Sequence, residues 1–341
     1  MSEFQWELPC NPSDLVYFRR RIWETGVALI LAATARLHGK RSQESEVVVD
    51  TTVQEKNITY PVDTKLYRKI IVRCWREADR QGLKLRRRYG KGVPRWVKDP
   101  RKRKLAHKAQ RKLRTLASRL VRELERKLPT EALAAQRENF ALYRCVLGQR
   151  PPDRAKIYSM HEPHIYCIAK GKEHKKYEFG TKASAVMTKA SCVIMAAVAH
   201  PENIYNGHTL PEVLRLPEAV QGRRAVKAIV ERGYRGRRWV EGTEVLTPNR
   251  PLASQSKAQS ARMRARFRRR SAIEPVISHL KHQYRLLRSF LKGFAGDRLN
   301  LMLAASAWNL RKWMRELGCF WLRFLQLFYS PLLPPLLLKC E

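Results

Sequence analysis

Two stretches of this chain place carboxylates where a phosphodiester could be cut. In the first, Glu46-Val-Val-Val-Asp50 is a short apolar run ending in an acid, which suits a buried strand with Asp50 at its mouth. In the second, Phe267-Arg-Arg-Arg270-Ser-Ala-Ile-Glu274-Pro-Val-Ile-Ser-His-Leu-Lys281 sets one acid among cations. At 100° per residue, Arg270, Glu274 and Lys281 fall within about 40° of one another on a helix. Beside them Ile273, Val276, Ile277, Leu280, Leu287 and Leu291 form an apolar stripe that can dock on a sheet. Cleavage by two metal ions needs several carboxylates converging on ions roughly 3.5–4 Å apart. Hard divalent ions such as Mg²⁺ take oxygen ligands. A second reading of the same segment is local: Ser271-Ala-Ile-Glu274 fits a capping box, and Pro275 favours a helix start nearby.

The elements that would carry these residues follow from periodicity. Residues 12–38 read as one helix, with Leu15, Phe18, Ile22, Val27 and Leu31 at helical spacing. From Thr64 to about Cys145 the pattern is basic helix. There Leu113, Leu116, Leu120, Leu124 and Leu128 are flanked by Arg111, Lys112, Arg114, Arg119, Arg122 and Arg126. A second helix from Glu131 to Tyr143 folds back after Pro129-Thr130. Strand patterns return at His164–Ala169, Tyr177–Met187, Cys192–Ala199 and Ala225–Val230, with a helix over Pro211–Val220. Leu252–Ser260 reads as a Ser/Gln-rich loop, and Arg262–Glu316 as helix, divided at Gly296-Asp297 with Asp297 as a cap. Strands on either side of a helical block give a mixed α/β core with an all-α insertion. The apolar stretch Cys319–Leu338 is interrupted by Arg323 and Gln326 and broken by Pro331, Pro334 and Pro335, so a packed helix with a ragged tail suits it better than a membrane span.

Charge narrows the partners. The chain has 341 residues, 69 Lys and Arg against 30 Asp and Glu, and a formal net charge of +39. Such an excess of one sign repels itself in a compact state unless a polyanion relieves it, so nucleic acid is the first partner to consider and an anionic membrane surface the second. With 44% hydrophobic residues the chain can bury a real core and is not a disordered basic tail. Its seven cysteines form no C-x-x-C pair, so they read as reduced thiols rather than a zinc ribbon or disulfide framework. The start, Met1–Cys10, has no basic stretch followed by an apolar run, so no secretory signal is expected from it. Tyr89 and Trp96, in the basic loop Arg86–Lys104, can stack on distorted DNA or plug the helical block. His161, His174, His279 and His282 make no metal-ligand pattern, and His208 reads as structural.

Phe267, Arg270, Glu274 and Lys281 match the Y-x2-R-x3-E-x6-K signature of insertion-sequence DDE transposases, with Phe for Tyr. Together with Tyr166–Gly180, Asn206-Gly-His-Thr-Leu210 and Arg232-Gly-Tyr-Arg-Gly236, the segment resembles the family of insertion sequence number five, over about Pro9–Arg315. The resemblance implies an α/β ribonuclease-H-like mixed sheet with flanking helices and a large basic all-α insertion after the first strand. Its domains would be an N-terminal helical remnant (1–40), a catalytic domain (41–62 and 150–316), the insertion (63–149) and an apolar tail (317–341). It implies a catalytic, metal-binding triad of Asp50, Glu231 and Glu274, with Phe267, Arg270 and Lys281 binding DNA phosphate. At the second position the family has Asp, whereas this chain has Glu231, whose extra methylene moves its oxygens by about a bond length; roughly 1 Å of misplacement can cost about 10²-fold in rate. The implied cofactor is Mg²⁺, or Mn²⁺. The implied partners are terminal inverted repeats and target DNA, bound by a homo-oligomer in the bacterial cytoplasm at the nucleoid, with no membrane. Full-length relatives carry more helix in front of Pro9, so an N-terminally truncated copy is expected. Two rivals remain: a catalytically impaired remnant that binds DNA without cutting, and an RNA-binding protein without any carboxylate cluster.

Overall fold

The computed structural model describes residues 10–86, 103–169, 176–248 and 256–329. In chain order the elements are α1 (Pro12–Arg36), β1 (Glu46–Lys56), α2 (Asp63–Arg80), α3 (Arg103–Lys127), α4 (Thr130–Gly148), β2 (Tyr166–Ala169), β3 (Tyr177–Thr188), β4 (Ile194–His200) and α5 (Asn206–Gln221). They continue with β5 (Lys227–Ile229), β6 (Trp239–Val240), β7 (Thr243–Leu246), α6 (Lys257–Arg268), α7 (Ile273–Gln283), β8 (Arg288–Ser289) and α8 (Gly293–Tyr329). The chain divides into two compact units, one made of residues 1–56 with 180–341 and the other of residues 57–179.

The first unit is built on a mixed sheet whose central strand is β1. Antiparallel β3 lies along β1 from Val47↔Thr188 to Glu55↔Gly180, and β4 pairs antiparallel with β3. On its other side β1 runs parallel to β5 at its start and to β8 at its end. Beyond β5 stands parallel β7, then antiparallel β6. Alternation along β1 sends Val47 and Val49 to one face and Val48 to the other. The first face packs on α5 through Leu210, Val213 and Leu214. The second packs on Ile273, Val276 and Leu280 of α7, Leu301 and Ala304 of α8, and Leu31 of α1. Burial on both faces is why the Val47–Val49 run is uniformly apolar. This mixed α/β architecture is consistent with a ribonuclease-H-like DDE domain.

In the second unit, α2, α3 and α4 share a core that includes Leu66, Ile70, Leu113, Leu120, Leu124 and Phe140. The leucines of α3 face inward, and Arg111, Lys112, Arg114, Arg119, Arg122 and Arg126 are exposed, as the periodicity requires.

Several expectations need correcting. β1 does not end at Asp50 but continues to Lys56, because Thr51–Glu55 find partners on β3 and because its end is anchored. The anchor is Asp297, which is buried and accepts from Lys56 Nζ at 2.7 Å, Thr181 Oγ1 at 2.7 Å and Gln54 Nε2 at 3.3 Å. Asp297 therefore neither caps nor divides a helix: α8 runs through it from Gly293. The break before α8 lies earlier, where Arg285 takes φ 58°. Helix α1 is interrupted at Trp23, with φ 47°. Lys257–Ser260 belong to α6 rather than to a loop, because Ser256 and Gln259 form the reciprocal capping box. Cys10, Cys74, Cys145, Cys167, Cys192 and Cys319 are free thiols. Among the described residues no helix is long and apolar enough to cross a membrane.

Candidate active site

Register brings the first two acids together. Val48 pairs with Ile229 across the parallel β1–β5 ladder, so two residues further on Asp50 and Glu231 stand side by side where β5 ends. Asp50 shares strand parity with Val48, so it lies on the face that α7 covers. The third acid, Glu274, is in the first turn of α7. A 3₁₀ turn, Arg269–Ala272, brings Arg270 in from the end of α6. Strand register and the docking of α7 thus bring four residues scattered over more than two hundred positions into one neighbourhood.

Asp50 reports that meeting. It is 8% exposed. Its pKa is pushed up from 3.8 to about 6, first by burial and next by the charge on Glu231. A hydrogen bond from Thr51 N to Asp50 Oδ1 (2.7 Å) and the Arg270 guanidinium oppose the rise, and the charge on Glu274 adds to it. Like charges close in a dry environment disfavour ionisation, and a cation there would relieve them.

Each glutamate nevertheless has another partner. Glu231 Oε1 accepts from Asn206 Nδ2 at 3.1 Å, and Asn206 Nδ2 lies equally 3.1 Å from Thr51 Oγ1. Gly233 leaves the space this needs, since a Cβ there would sit 2.9 Å from Glu231 Oε1 and 3.0 Å from Asn206 Nδ2. Among the described residues Glu231 has no ion pair with Arg232 or Arg235; Arg232 Nε donates instead to the carbonyl of Pro248. Glu274 Oε1 accepts from Arg270 Nη2 at 3.0 Å and is largely exposed. The Ser271–Glu274 capping box is absent: Ser271 Oγ donates to the Arg268 carbonyl and α7 has no side-chain cap. Among the described residues no three His, Cys, Asp or Glu side chains are gathered so as to hold a metal ion. The donor chemistry suits a hard divalent cation. The carboxylates are close enough to feel one another's charge but are not converged.

The other expected residues fall nearby. Phe267 packs on the core beneath α7 and α8. Lys281 stands about two turns beyond Glu274 on the same helix, partly exposed. His208 is exposed in the first turn of α5, edge-on to Tyr205. Tyr89, Trp96 and His174 lie outside the described residues. Two residues escaped sequence reasoning as site members. Asn206 is one. Tyr234 is the other: fully buried beside Thr51 and Ser184, with burial and the Asp50 charge pushing its pKa up. Both sit in quoted family-like motifs, the signal that could have found them.

Residues 155–310 match the family model of the transposase DDE domain. This match supports a DDE transposase. It spans β2 to α8, including Glu231, Arg270 and Glu274, while Asp50 lies before it. Among curated proteins, the chain is 38% identical over 91 residues to the uncharacterized protein ORF8 in the nfe locus of Rhizobium meliloti. That alignment covers 25% of this chain, and the chain spans 44% of that relative's length. No solved structure matches.

Proposed function

We propose that the chain is a transposase of the insertion-sequence family five type, which cuts DNA at terminal inverted repeats and joins the freed end to target DNA. The observation that carries this reading is the setting of Asp50, a buried acid that the β1–β5 register places beside Glu231 on the sheet face covered by α7, the helix that bears Glu274. Asp50, Glu231 and Glu274 would hold Mg²⁺ or Mn²⁺, with Glu274 exchanging Arg270 for the ion. A bound ion there supplies charge neutralisation at the reacting phosphate. Arg270, once released, is placed to hold phosphate oxygens, and Lys281 extends that cationic edge along α7. The exposed cations of α3 would hold duplex backbone without reading sequence. The working form would be a homo-oligomer on DNA in the bacterial cytoplasm.

The test is strand nicking of DNA carrying the element's ends, with Mg²⁺ or Mn²⁺ supplied. The wild type should nick, and Asp50→Asn and Glu274→Gln should not. A second reading, DNA binding without cutting, is favoured by the bonds that hold Glu231 on Asn206 and Glu274 on Arg270. Glu231→Asp separates the two: on the first reading it raises nicking, by up to about 10²-fold if misplacement limits the rate. Binding without nicking by both the wild type and Glu231→Asp would leave only the second.

A further inference from the structure

Beyond Glu231 the chain makes a short rigid projection that the carboxylate site does not use. After the 3₁₀ turn Arg232–Tyr234 it passes through Arg235, Gly236 (φ 109°), Arg237 and Arg238 into β6, where Trp239 is 60% exposed while its neighbour Val240 is buried. A singly exposed aromatic is ordinary on a protein surface. This one is set apart by what flanks and supports it. Arg235, Arg237 and Arg238 are exposed and make no ion pair among the described residues. The carboxylate nearest in register is Glu244, across the ladder from Trp239, so cations outnumber acids here.

The projection is also braced from three sides. Val245 N donates to the Arg238 carbonyl at 2.8 Å. Arg224 donates to the Glu241 carbonyl, and Arg215 pairs with the Glu241 carboxylate, fixing the turn that follows β6. Tyr205 Oη donates to the Arg235 carbonyl at 2.9 Å, one residue from the Asn206 that holds Glu231. The adjacent residues Tyr205 and Asn206, where α5 begins, therefore hold both the arginine-tryptophan segment and the acid. Aromatic rings presented rigidly between unpaired cations suit unpaired nucleotides, because every base offers a π-face and every linkage a phosphate. A continuous duplex keeps its bases stacked on one another and offers such a ring little.

We propose that Arg235–Trp239 is a contact for unpaired DNA next to the cutting site, in which Trp239 stacks on a base and Arg237 and Arg238 hold the flanking phosphates. The ligand class rests on the DNA-processing reading, but the contact does not depend on cleavage. The test is therefore equilibrium binding by the full-length chain, without divalent ions, to an oligodeoxythymidine and to a blunt duplex of equal length. Trp239→Ala should bind the oligodeoxythymidine about ten-fold or more weakly. Its duplex affinity should stay unchanged, and Trp239→Phe should retain most of the single-strand affinity. Arg237→Gln should weaken both ligands and reduce the dependence on salt. Equal losses on both DNAs, or no loss on either, overturn the proposal. So does a change of oligomeric state in Trp239→Ala, which would make the projection a protein interface. Normal single-strand binding with no nicking by any variant would sink the cutting reading and leave this contact standing.

Discussion

At the scale of single residues, Asp50 combines burial with two like-charged neighbours, and the two effects act in the same direction. Its pKa lies above the ordinary value, so the folded protein binds that proton more tightly than the unfolded chain does. The sign follows: this residue's share of stability is present below about pH 4 and is lost as pH rises towards about 6. Asp50→Asn should then stabilise the ion-free protein near neutral pH by up to about 3 kcal/mol, at about 1.4 kcal/mol per pKa unit. It should also flatten the pH dependence across that window. Denaturant unfolding in the presence of a chelator measures both; an unchanged or lower midpoint for Asp50→Asn would show that the carboxyl is not under this stress. The same experiment with Mg²⁺ or Mn²⁺ added should raise the wild-type midpoint and leave Asp50→Asn unmoved, since only a ligand bound by the folded state stabilises it.

At the scale of elements, β1 positions the site and Asp297 fixes β1. A buried ion pair with extra hydrogen bonds holds the strand's end to α8, and removing one partner leaves a buried charge uncompensated. Lys56→Met should cost about 3–5 kcal/mol, and pairing it with Asp297→Leu should restore much of the loss. If Lys56→Met unfolds at the wild-type denaturant midpoint, the pair does not anchor β1. This pair is illegible in the sequence because Lys56 and Asp297 are far apart in the chain and Asp297 has a plausible local role. Asp297 follows a glycine and looks like a cap. The Ser271–Glu274 pattern misled similarly, since a capping box needs Ser271 just outside the helix, and the preceding 3₁₀ turn carries it past that position. By contrast α3 was legible throughout, because its leucine spacing and exposed arginines are local facts.

At the scale of the whole molecule, a net charge of +39 makes affinity for DNA a salt-dependent quantity before any site is considered. Log affinity for duplex should fall linearly with log salt, with a slope near −0.9 per phosphate neutralised. Arg111→Gln and Arg119→Gln, on the exposed side of α3, should each weaken binding alike on unrelated duplexes and reduce the slope by about 1. A sequence-dependent loss, or an unchanged slope, would remove α3 from the DNA surface.

The sequence alone determined the large excess of positive charge, the mixed α/β character and the helical periodicities, because composition and local spacing carry them. The motif around Glu274 was likewise readable, through resemblance to a family. That Asp50 and Glu231 are neighbours follows only from the parallel register of β1 and β5, and that Glu274 is near enough for its charge to act on Asp50 follows only from where α7 docks. Tertiary structure also decided that Asn206 holds Glu231 and Arg270 holds Glu274. No local pattern encodes these pairings, because they depend on which side chains packing leaves within reach.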